Sequence, residues 1–180
     1  MTAIAPEHVT PVAWPRTQDR YGALESYLLA VDWLKDCTDV ADWGGAQGFF
    51  GTLLPARVRY TVVDGTRQRD DQVLADLMTY HVHSDGILLR HVLDHTRDWR
   101  GLLQNAMQCS RRLVVITFTP PPAEHQRTVL IEKKSGWPVR RFDVDDLRKA
   151  MGDYLVSDED VPTTHPERIY YLERPACAAA

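Results

Sequence analysis

The chain has 180 residues, 44% of them hydrophobic, which is enough for one domain with a proper core. Its 21 Lys and Arg against 25 Asp and Glu give a formal charge of −4, which argues against a protein that holds bulk nucleic acid by electrostatics. Cys37, Cys109 and Cys177 are odd in number and far apart, so they form neither a zinc spacing nor a disulfide framework. The sequence opens without a basic start or an apolar core segment, and no apolar run is long enough to span a bilayer. A cytoplasmic location is expected.

Residues 1–37 read as a proline-bearing arm followed by a helix, in which Leu24, Tyr27, Leu28, Val31 and Leu34 recur at three- and four-residue steps. A core over 38–174 and a frayed tail over 175–180 complete the single expected domain. Thr38 to Trp43 is a short strand. Gly44-Gly45-Ala46-Gln47-Gly48 is a glycine turn whose small residues let a backbone approach a ligand closely. A helix is predicted from Gln47 to Leu54, stopped by Pro55. Arg59 to Val63 is β-branched and aromatic, hence a strand, and it ends on Asp64. The link Gly65 to Asp71 is short and polar, with room for one helical turn at most, and Val73 to Leu77 is the next apolar group.

Gly86 to Arg90 is a buried-type strand that runs into His91-Val92-Leu93-Asp94-His95. Asp98 to Cys109 is amphipathic, and Arg112 to Phe118 is the clearest strand. After Pro120-Pro121-Pro122, Val129–Glu132 and Pro138–Phe142 suggest a hairpin. Asp143 caps a helix that begins at Val144, and Tyr154–Ser157 and Arg168–Leu172 supply two last strands. Alternating strands and helices imply an α/β fold with a mainly parallel sheet, whose strand C-termini share one ligand-binding edge. Asp42, Asp64, Asp76 and Arg90-His91 all fall at that edge.

From Tyr21 to Arg174 this order of elements resembles the class I S-adenosylmethionine-dependent methyltransferases. The first motif of that family, an acid followed by spaced glycines, stands here as Asp42-Trp43-Gly44-Gly45-Ala46-Gln47-Gly48, with Ala46 where glycine is more usual. Asp64 matches the acid that ends the second strand, and Asp76-Leu77 the acid and apolar residue near the adenine. His91-Val92-Leu93-Asp94-His95 matches the His-x-Leu-Glu-His stretch after the fourth strand. The resemblance implies a three-layer, doubly wound, mostly parallel seven-stranded sheet with the last strand antiparallel.

It further implies a site for S-adenosylmethionine. Asp42, Gly44 and Gly45 would face its methionine part, and Gly48 is a further cofactor-binding position. Asp64 would hold the ribose hydroxyls, Gly65 and Thr66 would lie near the adenine, and Asp76 and Leu77 would read the ring. Arg90 would act through its backbone carbonyl. NAD comes second, because no register of Gly44, Gly45, Gly48 and Gly51 supplies G-x-G-x-x-G.

The expected reaction is methyl transfer to an oxygen or nitrogen of a small or medium-sized acceptor, with His91 or His95 as general base and Asp94 orienting them. The blander reading is that these histidines cap the strand or pack near the cofactor. A non-catalytic module that keeps the fold and acts through a partner is the alternative function. His81, His83, His91 and His95 share no recognised metal spacing with a cysteine, and no metal is expected. Lys133, Lys134, Arg140 and Arg141 around Trp137 form a basic patch that could grip an anion, or simply a solvated hairpin. The Asn/Asp-Pro-Pro-aromatic motif of DNA and glutamine amino-methylating enzymes is missing after the fourth strand, which disfavours those substrates.

Overall fold

A computed structural model describes residues 23–119, 128–132, 138–161 and 166–176. Tyr21, Lys133, Lys134 and Trp137 lie outside the described residues. Nine strands are described: β1 (Asp39–Trp43), β2 (Arg59–Asp64), β3 (Val73–Leu74), β4 (Ser84–Arg90), β5 (Ser110–Phe118), β6 (Val129–Glu132), β7 (Pro138–Arg141), β8 (Leu155–Val161) and β9 (Glu167–Glu173). The helices are α1 (Leu24–Leu34), α2 (Trp99–Cys109) and α3 (Val144–Met151).

Seven strands form one sheet in the order β3-β2-β1-β4-β5-β9-β8. The neighbours from β3 to β5 pair in parallel, and β9 runs antiparallel to both β5 and β8. The mostly parallel seven-stranded sheet with an antiparallel strand at the end of the chain is therefore present, and β6 and β7 form a separate antiparallel hairpin.

Strand alternation divides the core into two layers. Val40, Leu88, Val114, Ile116 and Ile169 face Tyr27, Ala30 and Leu34 of α1. Trp43, Ile87, Leu89, Leu113 and Val115 face Leu102, Leu103 and Ala106 of α2, together with Leu147 and Met151 of α3. Ile87, Leu88 and Leu89 are consecutive and fully buried, as expected of a central parallel strand covered on both sides. Asp98 caps α2 by accepting from Gly101 N at 3.0 Å, and Asp143 caps α3 by accepting from Asp145 N and Asp146 N. Each cap is worth about 1 kcal/mol.

The helix expected over Gln47–Leu54 is instead a single 3₁₀ turn, Phe49–Thr52. Gly48 precedes it in the left-handed region at φ 75°, so regular helix cannot begin at Gln47. Only six residues separate Gly48 from Pro55, and the turn is held by its rings: Phe50 is buried against Tyr27 and Tyr60. The link between β2 and β3 contains no helix, in line with its short polar composition. Gln72 replaces one. Its Oε1 accepts from Gln68 N at 2.7 Å and Arg69 N at 3.0 Å, while its Nε2 donates to Thr66 O at 2.7 Å.

Candidate functional site

The parallel strands all deliver their C-terminal ends to one edge. Asp64 ends β2 in register with Leu74 of β3, and Ala75 N donates to Asp64 O at 3.1 Å. The Asp64 and Asp76 carboxylates therefore sit on neighbouring strand ends. Asp64 is buried, accepting from Thr66 N at 2.8 Å and Ala46 N at 3.2 Å. Burial raises its carboxyl above the ordinary range, against the opposing pull of the Thr66, Ala46 and Gly65 amides. Asp76 is half-buried and accepts from Met78 N at 3.0 Å. Leu77 packs on the α2 side of the core, and its carbonyl accepts from Asn105 at 2.8 Å.

The glycine turn crosses the end of β1. Gly44 lies at φ 77°, where a Cβ would meet Val92 Cγ2 at 2.5 Å, and a Cβ on Gly45 would meet the Asp42 carboxyl. Ala46 adopts φ 46°, a left-handed position at which glycine would be unstrained. Asp42 itself points under the turn. It is buried, receives the Tyr60 hydroxyl at 2.6 Å, and is pushed up to about 7, mainly by burial.

Further contacts, which no sequence pattern announces, tie the link after β2 to the turn. Gln47 Nε2 donates to Gln68 O at 3.2 Å, and Arg69 Nη1 donates to Gln47 O at 3.2 Å. The Arg69 guanidinium lies where a Cβ on Gly48 would be, so Gly48 is also needed for this close approach.

At the end of β4 the chain turns through His91, at φ 56°. His91 and Arg90 enter a buried charge cluster completed by Glu167, the first residue of β9. Arg90 Nη2 reaches Glu167 Oε1 at 2.5 Å, and His91 Nε2 reaches the same oxygen at 2.8 Å. His91 Nδ1 lies 3.5 Å from Asp94 Oδ2, and the ring stacks on Phe118 at 3.9 Å. Arg90 also covers the Tyr27 ring at 4.3 Å. Burial acts to raise the Glu167 carboxyl, but the His91 hydrogen bond and the Arg90 charge outweigh it and hold it below the ordinary value. His95 is half-buried in the 3₁₀ turn Leu93–His95. His81 is engaged elsewhere, its Nδ1 2.7 Å from Asn105 Oδ1. Glu167 lies one residue outside the strand expected over Arg168–Leu172, and as the first residue of β9 it begins at the edge where the parallel strands finish.

Comparison with solved structures gives the same architecture a known setting. The Burkholderia thailandensis 1,6-didemethyltoxoflavin-N1-methyltransferase, solved with S-adenosylhomocysteine, superposes with a TM-score of 0.70 at 15% identity, covering 84% of this chain and 77% of that one. The chain has the class I methyltransferase fold. The N-methyltransferase NodS of Bradyrhizobium japonicum matches with a TM-score of 0.62 at 14% identity, over 85% of this chain and 87% of its own. The magnesium protoporphyrin IX methyltransferase of Synechocystis PCC 6803 matches with 0.62 at 15% identity, over 84% and 83%. No protein-family model matches the sequence, and no curated protein does. In this methyltransferase fold the crevice at the carboxyl ends of β1 and β4 lies where the strand order reverses, the position at which open α/β sheets take ligands. Among the described residues no helix is long and apolar enough to cross a membrane.

Proposed function

We propose that the protein binds S-adenosylmethionine along this edge and transfers its methyl group to an oxygen or nitrogen of a small acceptor. The observation that carries the reading is the placement of Asp64 and Asp76 on adjacent strand ends beside a left-handed glycine turn. The donor and acceptor chemistry fits. An ionised carboxylate offers about four acceptor positions, so Asp64 retains capacity for a ribose hydroxyl beyond its backbone partners. Asp76 would accept from an exocyclic amine, with Leu77, Gly65 and Thr66 alongside. Gly44, Gly45 and Gly48 give the backbone room, Asp42 buttresses the turn from beneath, and the Arg90 carbonyl closes the neighbouring strand end.

The cofactor supplies a methyl group already activated on sulfur. The chain's own residues would orient the acceptor, exclude water and receive a proton. With Glu167 ionised, His91 Nε2 holds its proton toward that carboxylate, so His91 could accept another only at Nδ1, facing Asp94. Half-buried His95 is the more accessible base.

A second reading, a binding module without catalysis, is favoured by a specific observation. Arg90, His91 and Asp94 are engaged in a buried cluster, and Arg69 and Gln47 tie the link after β2 to the glycine turn. Thermal-shift measurements with S-adenosylmethionine, S-adenosylhomocysteine and NAD test both readings. Ligand at about a hundred times its Kd adds about 2.7 kcal/mol to stability. A rise with the two methionine-derived ligands alone, lost in Asp64→Ala and Asp76→Ala, is expected. No rise at millimolar ligand would remove the cofactor from the proposal, and binding without turnover across an acceptor panel would favour the module.

A further inference from the structure

Asn105 is a buried amide on a helix whose other buried side chains are apolar or thiol. It is 5% exposed, on α2 with Leu102, Leu103, Ala106 and Met107. A buried amide is costly unless its polar atoms are paired. Here its Nδ2 donates to the carbonyls of Leu77 at 2.8 Å and Tyr80 at 3.1 Å, and its Oδ1 lies 2.7 Å from His81 Nδ1. Cys109 Sγ donates to the same oxygen at 3.6 Å. Carbonyls only accept, so the amide nitrogen must face Leu77 and Tyr80, and His81 Nδ1 carries the proton that Oδ1 receives. Both donors and both lone pairs of the amide are therefore in use.

Three of these partners lie in one stretch of chain. From Ala75 to His83, between β3 and β4, the backbone forms neither helix nor strand, so its shape depends on side-chain ties. Met78 N donates to Asp76 Oδ1 and Thr79 N to Asp76 O, each at 3.0 Å, which closes a turn on Asp76. Asn105 grips the residues that leave that turn. The Tyr80 ring meets Trp43 edge-on, with centroids 5.7 Å apart, and Trp43 directly precedes Gly44. The loop that carries Asp76 is thus held to α2 on one side and to the end of β1 on the other.

We propose that Asn105 is a positioning residue that sets the selectivity of the site for an adenine base, by fixing the loop from which Asp76 accepts the exocyclic amine. The selectivity rests on the S-adenosylmethionine reading, whereas the clamp on the loop does not. Asn105 acts through the Leu77 and Tyr80 carbonyls and touches no ligand. A carboxylate held in place gains a hydrogen bond from an amino group and repels an oxygen in the same position. A carboxylate on a loose loop can turn away from the oxygen, so it discriminates less. Ordering that loop at the moment of binding would also cost affinity.

The test titrates the full chain calorimetrically with S-adenosylhomocysteine and with S-inosylhomocysteine, which has an oxygen in place of the amine. Wild type should prefer the adenosyl compound about ten- to hundredfold, the range for a hydrogen bond to a charged group. Asn105→Ala should bind that compound about five- to thirtyfold more weakly, as for one or two lost hydrogen bonds, and its preference should shrink at least about threefold. A general loss of stability would leave the preference intact. Exposed Gln104→Ala, one position away on α2, should leave both values unchanged. Without ligand, chymotrypsin should cut the native variant after Leu77, Met78 or Tyr80 at least about tenfold faster than wild type. Equal affinity of wild type for the two compounds, an unchanged preference in folded Asn105→Ala, or equal cleavage would overturn the proposal. If Asn105→Ala does not fold, Asn105→Asp, which keeps the size, decides on the same criteria. A wild-type chain that binds neither compound would overturn the adenine role together with the cofactor reading, and faster cleavage in the variant would then keep the clamp alone.

Discussion

Replacing Glu167 with Gln tests how strongly the last strand is held by charge. The change keeps the side chain's size and removes only its ionisation. Glu167 is 1% exposed and serves Arg90 at 2.5 Å and His91 at 2.8 Å through one oxygen. In the variant the Arg90 guanidinium stays buried with no counter-charge on Glu167's side. Removing one partner of a buried pair costs about 3–5 kcal/mol. Against a total stability of about 5–15 kcal/mol this is a large share. With a urea slope of about 2 kcal/mol/M, the unfolding midpoint at pH 7 should fall by about 1.5–2.5 M.

The pH dependence supplies a second readout. The folded Glu167 carboxyl sits below its ordinary value of 4.5, so its stabilisation is fully present above that value. It is lost as the pH falls through the lower folded value. Wild type and variant should therefore converge on acidification, while 0.5 M salt should change their difference little, because the pair is screened weakly. A loss under about 1 kcal/mol at pH 7, or a gap that stays constant into acid, would refute the reasoning.

Asp42→Asn should act in the opposite sense. The folded Asp42 carboxyl is pushed up to about 7, so as pH rises from about 4 to 7 the unfolded chain releases a proton that the folded chain retains, and stability falls. The amide keeps an acceptor for Tyr60, so the variant should be about 1–2 kcal/mol more stable at pH 8 and lose that part of the pH slope. Equal denaturation midpoints at pH 8 would count against it. Ala46→Val should cost more than about 2 kcal/mol, since a β-branched residue at φ 46° is strained, whereas Ala46→Gly should stay within about 1 kcal/mol of wild type. Equal losses in the two chains, measured by thermal melting, would rule out the backbone explanation.

The parts of the fold that could be read in advance depend on local pattern. The runs that became β1, β2, β4 and β5 are apolar because parallel strands are covered on both faces, and Asp143 announced its helix through the capping preference. The segment after Gly48 departs from the expected helix because its rings pack under α1 and it is too short to wind. At the candidate site, Asp64 and Asp76 were legible as acids at strand ends. Glu167 was not, because it meets His91 across 76 residues and only through the β5–β9 register. The Gln72 and Arg69 ties were also hidden, since polar side chains in a loop carry no periodicity.

The β5–β9 register also sorts right from wrong pairing. Glu167 and Arg168 are neighbours of opposite charge that point to opposite faces of β9, Arg168 being paired with Asp158 and Asp160 of β8. A slip of one residue would exchange their faces. It would drive Arg168 against Arg90 and His91 and leave Glu167 among the acids of β8, so both faces would then carry unpaired like charge. The wrong pairing is penalised twice over, so charge as well as apolar facing selects one alignment of the final strand.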